Sequence, residues 1–462
     1  METIVKNDIE NITLHIKKPE KLLRMLTSLN IQNIIYNPSP FLSETLVFLD
    51  IDHCVNLKNL PVEFSNCSNL RILFIKECRN MTIIPPVLGN MPNLTRLGLK
   101  SNGIRIVHGK SLPPNIEHLI LTDNNITHID HDAFVRLGKS CRKLMLSHNK
   151  LRTFGNDIDC SMLQNIELLR LSNNHLTSLS KSLYLLPKLS WITISGNPNL
   201  KGTNIPKISN IPILSQQDIV LNEDKILGRG ASGKVVLGKW DDKNVAVKIF
   251  HGVTSDGKAD DELRLQSYIG GHGSKHLVTA IALMVDKEES PNSKKLGVVM
   301  KVLSKELSDL ALPPTIEEVI EDRYEEKKNF DFDFVIAILR GIADALYYLH
   351  VVCRVSHGDV YAHNIVVNKQ NKNLNSVYLL DLGAASYYGG DKDSLLDGEL
   401  CEKVEVRAFG ILANELLNNM DNINIVDQKK IIILKDLVYI CSGNIVKRRP
   451  LFVTILKILN GI

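Results

Sequence analysis

Between Leu46 and Leu200 the apolar residues follow neither a simple helical nor a simple strand period. They recur as L-x-x-L-x-L-x-x-N/C-x-L, opening at Leu46, Leu70, Leu94, Ile116, Cys141, Ile166 and Leu189, at spacings of 22 to 25 residues. Each copy predicts one short strand whose leucines point inward. No copy buries that face alone, so neighbours must stack into one continuous core. The polar position in the later copies is Asn102, Asn124, Asn149, Asn174 or Asn197, an amide able to bond the backbone where the chain leaves the strand; Cys54 and Cys78 stand there in the first two. Residues 1–45 hold no clean copy and are expected to cap the stack, with Leu22, Leu23 and Leu26 on a helical face and Pro38 and Pro40 in a turn.

Past Lys201–Gln217, a stretch with Pro206 and Pro212 that reads as a short linker, the pattern changes. Ile226-Leu227 and Val235–Trp240 flank a glycine-rich loop, Asp241-Asp242 makes a hairpin turn, and Val245–Phe250 reads as a third strand. Ala259–Tyr268 predicts a helix packing through Leu263, Leu265 and Tyr268, and the glycine-rich 270–274 follows as a long loop. After a polar hairpin connection at 288–295, Leu296–Leu303 reads as a strand running into a hinge. Phe334, Ile338, Leu339, Ile342, Ala345, Leu346 and Leu349 recur at helical spacing and predict an amphipathic helix over 332–350. At 462 residues the chain exceeds one ordinary core. The expected organisation is a cap over 1–45, an α/β solenoid over 46–205, a linker over 206–218 and a second, α+β domain over 219–462.

Charge changes this picture little. A net charge of +4 from 55 basic and 51 acidic residues is too thinly spread for a nucleic-acid binder. The N-terminus lacks a basic stretch leading into an apolar one, and no run of 18 or more apolar residues follows, so a cytoplasmic chain without a membrane span is expected. Eight scattered cysteines without Cys-x-x-Cys suit reduced thiols better than disulfides or zinc.

The chemistry lies in four fragments between 228 and 383: Gly228-Arg-Gly230-Ala-Ser-Gly233-Lys-Val235, Val245-Ala-Val-Lys248, His357-Gly-Asp359-(x)4-Asn364 and Asp381-Leu-Gly383. The first is weak by itself. A strand after its glycines disfavours the dinucleotide fold, where a helix follows, and Gly233-Lys234 lacks the Ser or Thr of a P-loop. An ammonium near phosphates needs an anion to orient it; Glu262 is the choice on its helix, with Asp261 as rival. Phosphoryl transfer needs a carboxylate beside the acceptor hydroxyl, which Asp359 fits, and oxygen ligands for a metal, which Asn364 and Asp381 fit.

On these motifs the first half resembles the leucine-rich repeat family. From about Ile219 onward the chain resembles the protein kinase superfamily, especially its tyrosine-kinase-like branch. The resemblance implies a bilobal kinase domain using ATP and Mg2+, with Lys248 on the α and β phosphates, Gly228, Gly230 and Gly233 over them, and Val235 and Ala246 against adenine. It also implies that Met300 guards the back of the adenine site, that the backbone of Lys301 and Val302 bonds the base, and that His357 orients the catalytic loop. The implied function is transfer of the γ-phosphate to a protein hydroxyl, Ser/Thr ahead of Tyr; the alternative is an ATP-binding pseudokinase scaffold acting through protein contacts.

Several departures bear on that choice. Gly358 replaces the arginine that commonly precedes the catalytic Asp and pairs with a phosphorylated activation loop, so basal activity is expected not to depend strongly on phosphorylation of Ser386, Tyr387, Tyr388 or Ser394. Tyr361 stands where Ser/Thr enzymes often carry a lysine, leaving the acceptor class open. There is no Ala-Pro-Glu, Leu382 replaces Phe after Asp381, and Arg449 lacks that motif's glutamate, while Glu405 stands where an aspartate usually accepts catalytic-loop amides. On the repeat half, Phe74, Lys76, Arg96, Lys100, Lys143, Arg170 and Trp191 project from the concave columns and are expected to bind a protein substrate or adaptor.

Overall fold

The computed structural model describes residues 12–16, 46–54, 56–206, 211–230, 233–250, 257–270, 274–285, 296–315, 322–324, 330–368, 376–389, 397–420 and 428–462. The expected Leu22–Leu26 helical face, the Pro38–Pro40 turn, the loop at 271–273, the hairpin at 288–295 and Ser394 lie outside the described residues. The chain divides into two compact units, Met1–Leu189 and Ser190–Ile462.

In the first unit the strands Leu46–Asp52, Ile72–Lys76, Arg96–Gly98, His118–Ile120, Lys143–Met145 and Leu168–Arg170 lie parallel in chain order. Ile12–Ile16 pairs antiparallel with the first of these, Leu14 opposite Leu49, and covers the sheet edge there. The repeat's apolar positions are buried as the pattern requires: Leu94, Leu97 and Leu99 in one copy, Ile116, Leu119 and Leu121 in the next. The asparagines form a ladder between copies. Asn124 accepts from Ile104 N at 3.1 Å and donates to Leu99 O at 2.8 Å; Asn149 does the same for Ile126 N and Leu121 O, and Asn174 for Leu151 N and Leu146 O. The residue just before this position is left-handed in each copy: His53, Glu77, Ser101, Asp123, His148 and Asn173 have φ between 55° and 58°, and Gly196 has φ 68°. Such a conformation costs roughly 1 kcal/mol or more for a side-chain-bearing residue, and the adjoining amide ladder offsets it. All eight cysteines are free thiols, and burial pushes Cys67, for one, up to about 11, which makes it an inert packing group.

His118 is buried on its strand, between Arg96 and Lys143 in the neighbouring strands. Burial first, then Lys143, Arg96 and Arg142, lower its pKa to about 3. A folded-state value below the unfolded one means that the unfolded chain binds the proton more readily. Stability is therefore complete above about pH 6.5 and lost as pH falls toward 3, by about 2 kcal/mol at pH 5. Calorimetry of the first unit's transition at pH 7.5 and 5 should show this slope in the native chain and a flatter one in His118→Asn.

The second unit opens with a six-stranded sheet in the spatial order Ile213–Leu214, Ala280–Val285, Leu296–Lys301, Lys243–Phe250, Gly233–Trp240 and Val220–Gly230. Part of the stretch expected as linker is thus an edge strand: Leu283 N bonds Pro212 O at 2.9 Å, and Leu214 packs on the sheet core. Register decides what each sheet face carries. Val236, Val247 and Val299 stand opposite one another in the core on one face. The alternate positions Val235, Ala246, Lys248, Val298 and Met300 share the other face, where Leu263 of the helix Ala259–Gly270 packs with Val298.

Below this sheet, the helix Phe332–Tyr347 is capped by Asp331, whose side chain accepts from Phe334 N at 2.8 Å, and is buried along most of its length. It continues as a π turn over Tyr348–Cys353, so the regular helix stops short of the expected 350. Phe332–Cys353 is long and apolar enough to cross a membrane, but 67% of its most apolar window is buried inside the protein. Arg340 anchors the C-terminal helix Phe452–Asn460 through Leu459 O, and the long helix Gly398–Asn418 adds Phe409 against Phe452. His276 joins the upper sheet to the lower half: its Nδ1 lies 3.0 Å from Val377 O, and its own carbonyl accepts from Leu379 N.

Candidate active site

Lys248 rises from the central strand of the upper sheet, its side chain only 11% exposed. Nζ lies 2.8 Å and 3.1 Å from the two carboxylate oxygens of Glu262 and 3.0 Å from Asp381 Oδ1. Glu262, not Asp261, therefore meets the lysine, and its side chain is 4% exposed. Burial works against the ammonium, but Asp381 and Glu262 outweigh it and hold the Lys248 pKa above the ordinary lysine value. Desolvation likewise opposes charge on Asp381. With 45% of that side chain in solvent, the attraction of Lys248 decides, and the Asp381 pKa lies below the usual carboxylate range.

Asp381 has φ 57°, a left-handed conformation in a non-glycine residue, and its Oδ1 also accepts from Gly383 N at 3.0 Å. The strand Val377–Leu379 delivers it, paired with Ile365–Asn368, and Leu380 N bonds Asn364 O. Asn364 donates through Nδ2 to Asp359 Oδ2 at 2.8 Å and to Asp359 O at 2.9 Å, which commits the amide nitrogen to Asp359 rather than its oxygen. His357 ties the loop to this strand: Nδ1 accepts from Asp359 N at 3.3 Å, so Nε2 carries the proton that goes to Leu380 O at 2.9 Å. Leu382 is buried, as an apolar residue after Asp381 requires.

Val235, Ala246 and Met300 share the face of Lys248, with Ala246 opposite Met300 and Lys301 opposite Val245. Lys301 ends its strand, and Val302 follows it, partly buried. The three glycines differ. A Cβ on Gly228 or Gly230 would meet nothing within 4 Å, whereas one on Gly233 would sit 2.1 Å from Ile249 O. Gly233 is thus required by the adjacent strand, while Gly228 and Gly230 leave open space.

Beneath the loop, Glu405 is 2% exposed and accepts from His357 N at 2.9 Å, Gly358 N at 2.6 Å and His350 Nε2 at 2.7 Å. Burial alone would raise its pKa; the bond and charge of His350 lead the effects that bring it below the ordinary carboxylate value. Arg449 bonds Gly443 O at 2.9 Å and Lys403 O at 3.0 Å. The sequence offered no role for His363; it lies 2.6 Å from Asp322 through Nδ1 and stacks on Tyr361. Neither Asp322 nor His350 stood out in sequence, because each acts through a partner more than 40 residues away.

Two residues expected on an open concave face are not available there. Trp191 falls in the second unit, 1% exposed, stacked on Tyr361 with ring centroids 4.3 Å apart. Arg170 is 3% exposed, so its charge is withdrawn from solvent. Phe74, Lys76, Arg96, Lys100 and Lys143 are partly exposed; Lys76 is paired with Asp50 at 2.9 Å, and the Phe74 ring lies across Gly98.

Comparison with known proteins agrees with this geometry. The protein kinase domain family matches residues 221–430, and a leucine rich repeat family matches 114–161. Cysteine-rich receptor-like protein kinase 46 of Arabidopsis thaliana is 26% identical over 44% of this chain and 33% of its own length. A probable LRR receptor-like protein kinase of the same plant is 25% identical over 44% of this chain and 23% of its own. The human leucine-rich repeats and immunoglobulin-like domains protein 1 is 27% identical over 30% of this chain and 12% of its own. The chain thus spans a third or less of the length of these curated relatives. A kinase fold carries a nucleotide-binding site between its lobes, and a repeat sheet offers a face for partners. The chain joins a leucine-rich repeat region to a protein kinase domain.

Proposed function

We propose that this chain is a cytoplasmic, ATP-dependent protein kinase that phosphorylates a protein hydroxyl, Ser/Thr ahead of Tyr, on a substrate or adaptor recruited by Phe74, Lys76, Arg96, Lys100 and Lys143. The observation that carries the reading is Lys248 bridging Glu262 and Asp381 beside the linked pair Asp359–Asn364. The residues fit a magnesium nucleotide: Gly228 and Gly230 leave room above a buried cation, and Asn364 and Asp381 offer the hard oxygens this ion prefers. When bound, the magnesium nucleotide supplies the phosphoryl group and neutralises the charge on its oxygens. Lys248, pre-oriented by Glu262, holds a fixed positive charge where phosphate oxygens come to lie. Asp359, oriented by Asn364 Nδ2 and by its own N–H on His357, accepts the proton of the acceptor hydroxyl. Val235, Ala246 and Met300 give the base an apolar wall, and the ends of Lys301 and Val302 offer it backbone groups.

The test compares native chain with Asp359→Ala, using labelled ATP and magnesium on mixed Ser/Thr and Tyr peptides. Native chain should label Ser/Thr peptides, and the variant should lose about 10²- to 10⁴-fold in kcat. Nucleotide binding with no transfer by native chain would overturn the reading in favour of a scaffold.

A further inference from the structure

Trp191 makes a second set of contacts within its unit. Its Nε1 donates to Val360 O at 3.1 Å, and its ring lies at 8° on Tyr361. Three residues on, Ile194 N donates to Ser386 Oγ at 3.0 Å in a buried bond. Ser386 belongs to the strand pair that ties the entry of the catalytic loop, Val355–Ser356, to the segment after Asp381. Between these anchors lies Gly358, with φ 74°; a Cβ there would stand 2.6 Å from Ala384 O and 3.1 Å from Ile192 O. The left-handed φ and the Ala384 carbonyl exclude a side chain, and so an arginine, at 358, and the Ile192 carbonyl narrows the same space.

We infer that Trp191 is a positioning residue for Asp359, and that the segment Ser190–Ile194 braces the catalytic loop through the Val360 carbonyl, the Tyr361 ring and the Ser386 hydroxyl. This rests on the kinase reading above. Asp359 stands between Gly358, whose missing side chain leaves room for the Ala384 and Ile192 carbonyls, and Val360, whose carbonyl is held by the indole. The residues that follow the carboxylate are thereby pinned. Tyr361 extends the pin, since its other neighbour His363 is fixed by Asp322 through both its ring and its backbone N–H. Ser386 is buried with its hydroxyl engaged, so this brace does not require a phosphate there.

The experiment uses the full chain, with kcat and KM for ATP and peptide measured on native protein, Trp191→Ala and Trp191→Phe, each before and after phosphatase treatment. Displacing a general base by about 1 Å costs on the order of 10²-fold. Trp191→Ala should therefore lose about 10- to 100-fold in kcat, with nucleotide Kd changed less than about twofold. Trp191→Phe, which keeps the stack but not the N–H bond, should recover most of that loss, and phosphatase should leave native kcat unchanged. Amide exchange over 355–364 should speed up in Trp191→Ala while exchange over 243–250 stays as it was. Unchanged kcat and exchange in Trp191→Ala would overturn the proposal, and so would a rise in kcat/KM for peptide, the mark of a plug rather than a brace. If native chain binds nucleotide without transfer, the kinase reading fails by itself; exchange over 355–364 then still decides whether Trp191 holds the loop.

Discussion

Alanine at Glu405 should destabilise the kinase domain by about 3 to 5 kcal/mol, the cost of stripping one partner from a buried, hydrogen-bonded charge. The carboxylate bonds His357 N, Gly358 N and His350 Nε2 at once, and all three are buried. Removing it takes the shared acceptor from two amides of the catalytic loop and one imidazole. Glu405→Gln should cost less, because its carbonyl in the place of Oε2 still accepts from His357 N and His350 Nε2, and only the Gly358 N bond to Oε1 is lost. The sign with pH follows from the depressed carboxylate pKa. The stabilisation is present above the ordinary carboxylate range, near pH 4.3, and lost as pH falls through the lower folded value. Urea unfolding followed at pH 7 and at pH 3.5 should show a gap between native chain and Glu405→Gln that narrows in acid. Equal midpoints for native chain and Glu405→Ala at pH 7 would mean that the loop does not depend on this carboxylate.

The same carboxylate shows how far sequence reached. A glutamate where an aspartate is usual still reaches two consecutive amides, so its longer side chain is accommodated, and the residue type together with its motif made that legible. Lys248, Asp359, Asn364 and Asp381 were legible for a similar reason: short runs of chain fix each of them on a strand or tight loop, and strand register then sets Val235, Ala246 and Met300 on the lysine's face. Glu262 was separable from Asp261 only weakly in sequence, since one residue along a helix turns a side chain by about 100°; the packing of Leu263 and Leu265 decides which carboxylate faces inward.

Contacts between distant positions were not legible. The Trp191–Val360 bond joins residues 169 apart, and an aromatic in a repeat column reads the same whether it faces solvent or a catalytic loop. Gly358 read as the loss of an arginine; its left-handed φ and the carbonyls packed around it show a glycine required by its surroundings. The left-handed residue of each repeat left no mark either, because His53, Glu77, Ser101 and Asp123 share a conformation but no chemistry. Ile213–Leu214 looked like linker since two residues carry no period, and only pairing with Leu283 and Met284 makes them a strand.

Lys248→Met should lower kcat/KM at least about 10²-fold, the loss seen when one preorganised donor to a developing charge is removed. Glu262→Gln should cost less, about 10-fold, because Lys248 keeps Asp381 as a partner at 3.0 Å. The double variant is expected to be no slower than Lys248→Met alone, since Glu262 acts on the reaction only by holding the ammonium, and residues that work as a unit are not additive. Stability should run the other way. Lys248→Met leaves the carboxylate of Glu262, a side chain 4% exposed, without its cation, whereas the double variant removes that charge as well. Thermal unfolding should therefore place the double variant above Lys248→Met, and the same comparison in kcat/KM should show no further loss. Rate losses that simply multiply would mean that Glu262 acts on the reaction by a route other than Lys248.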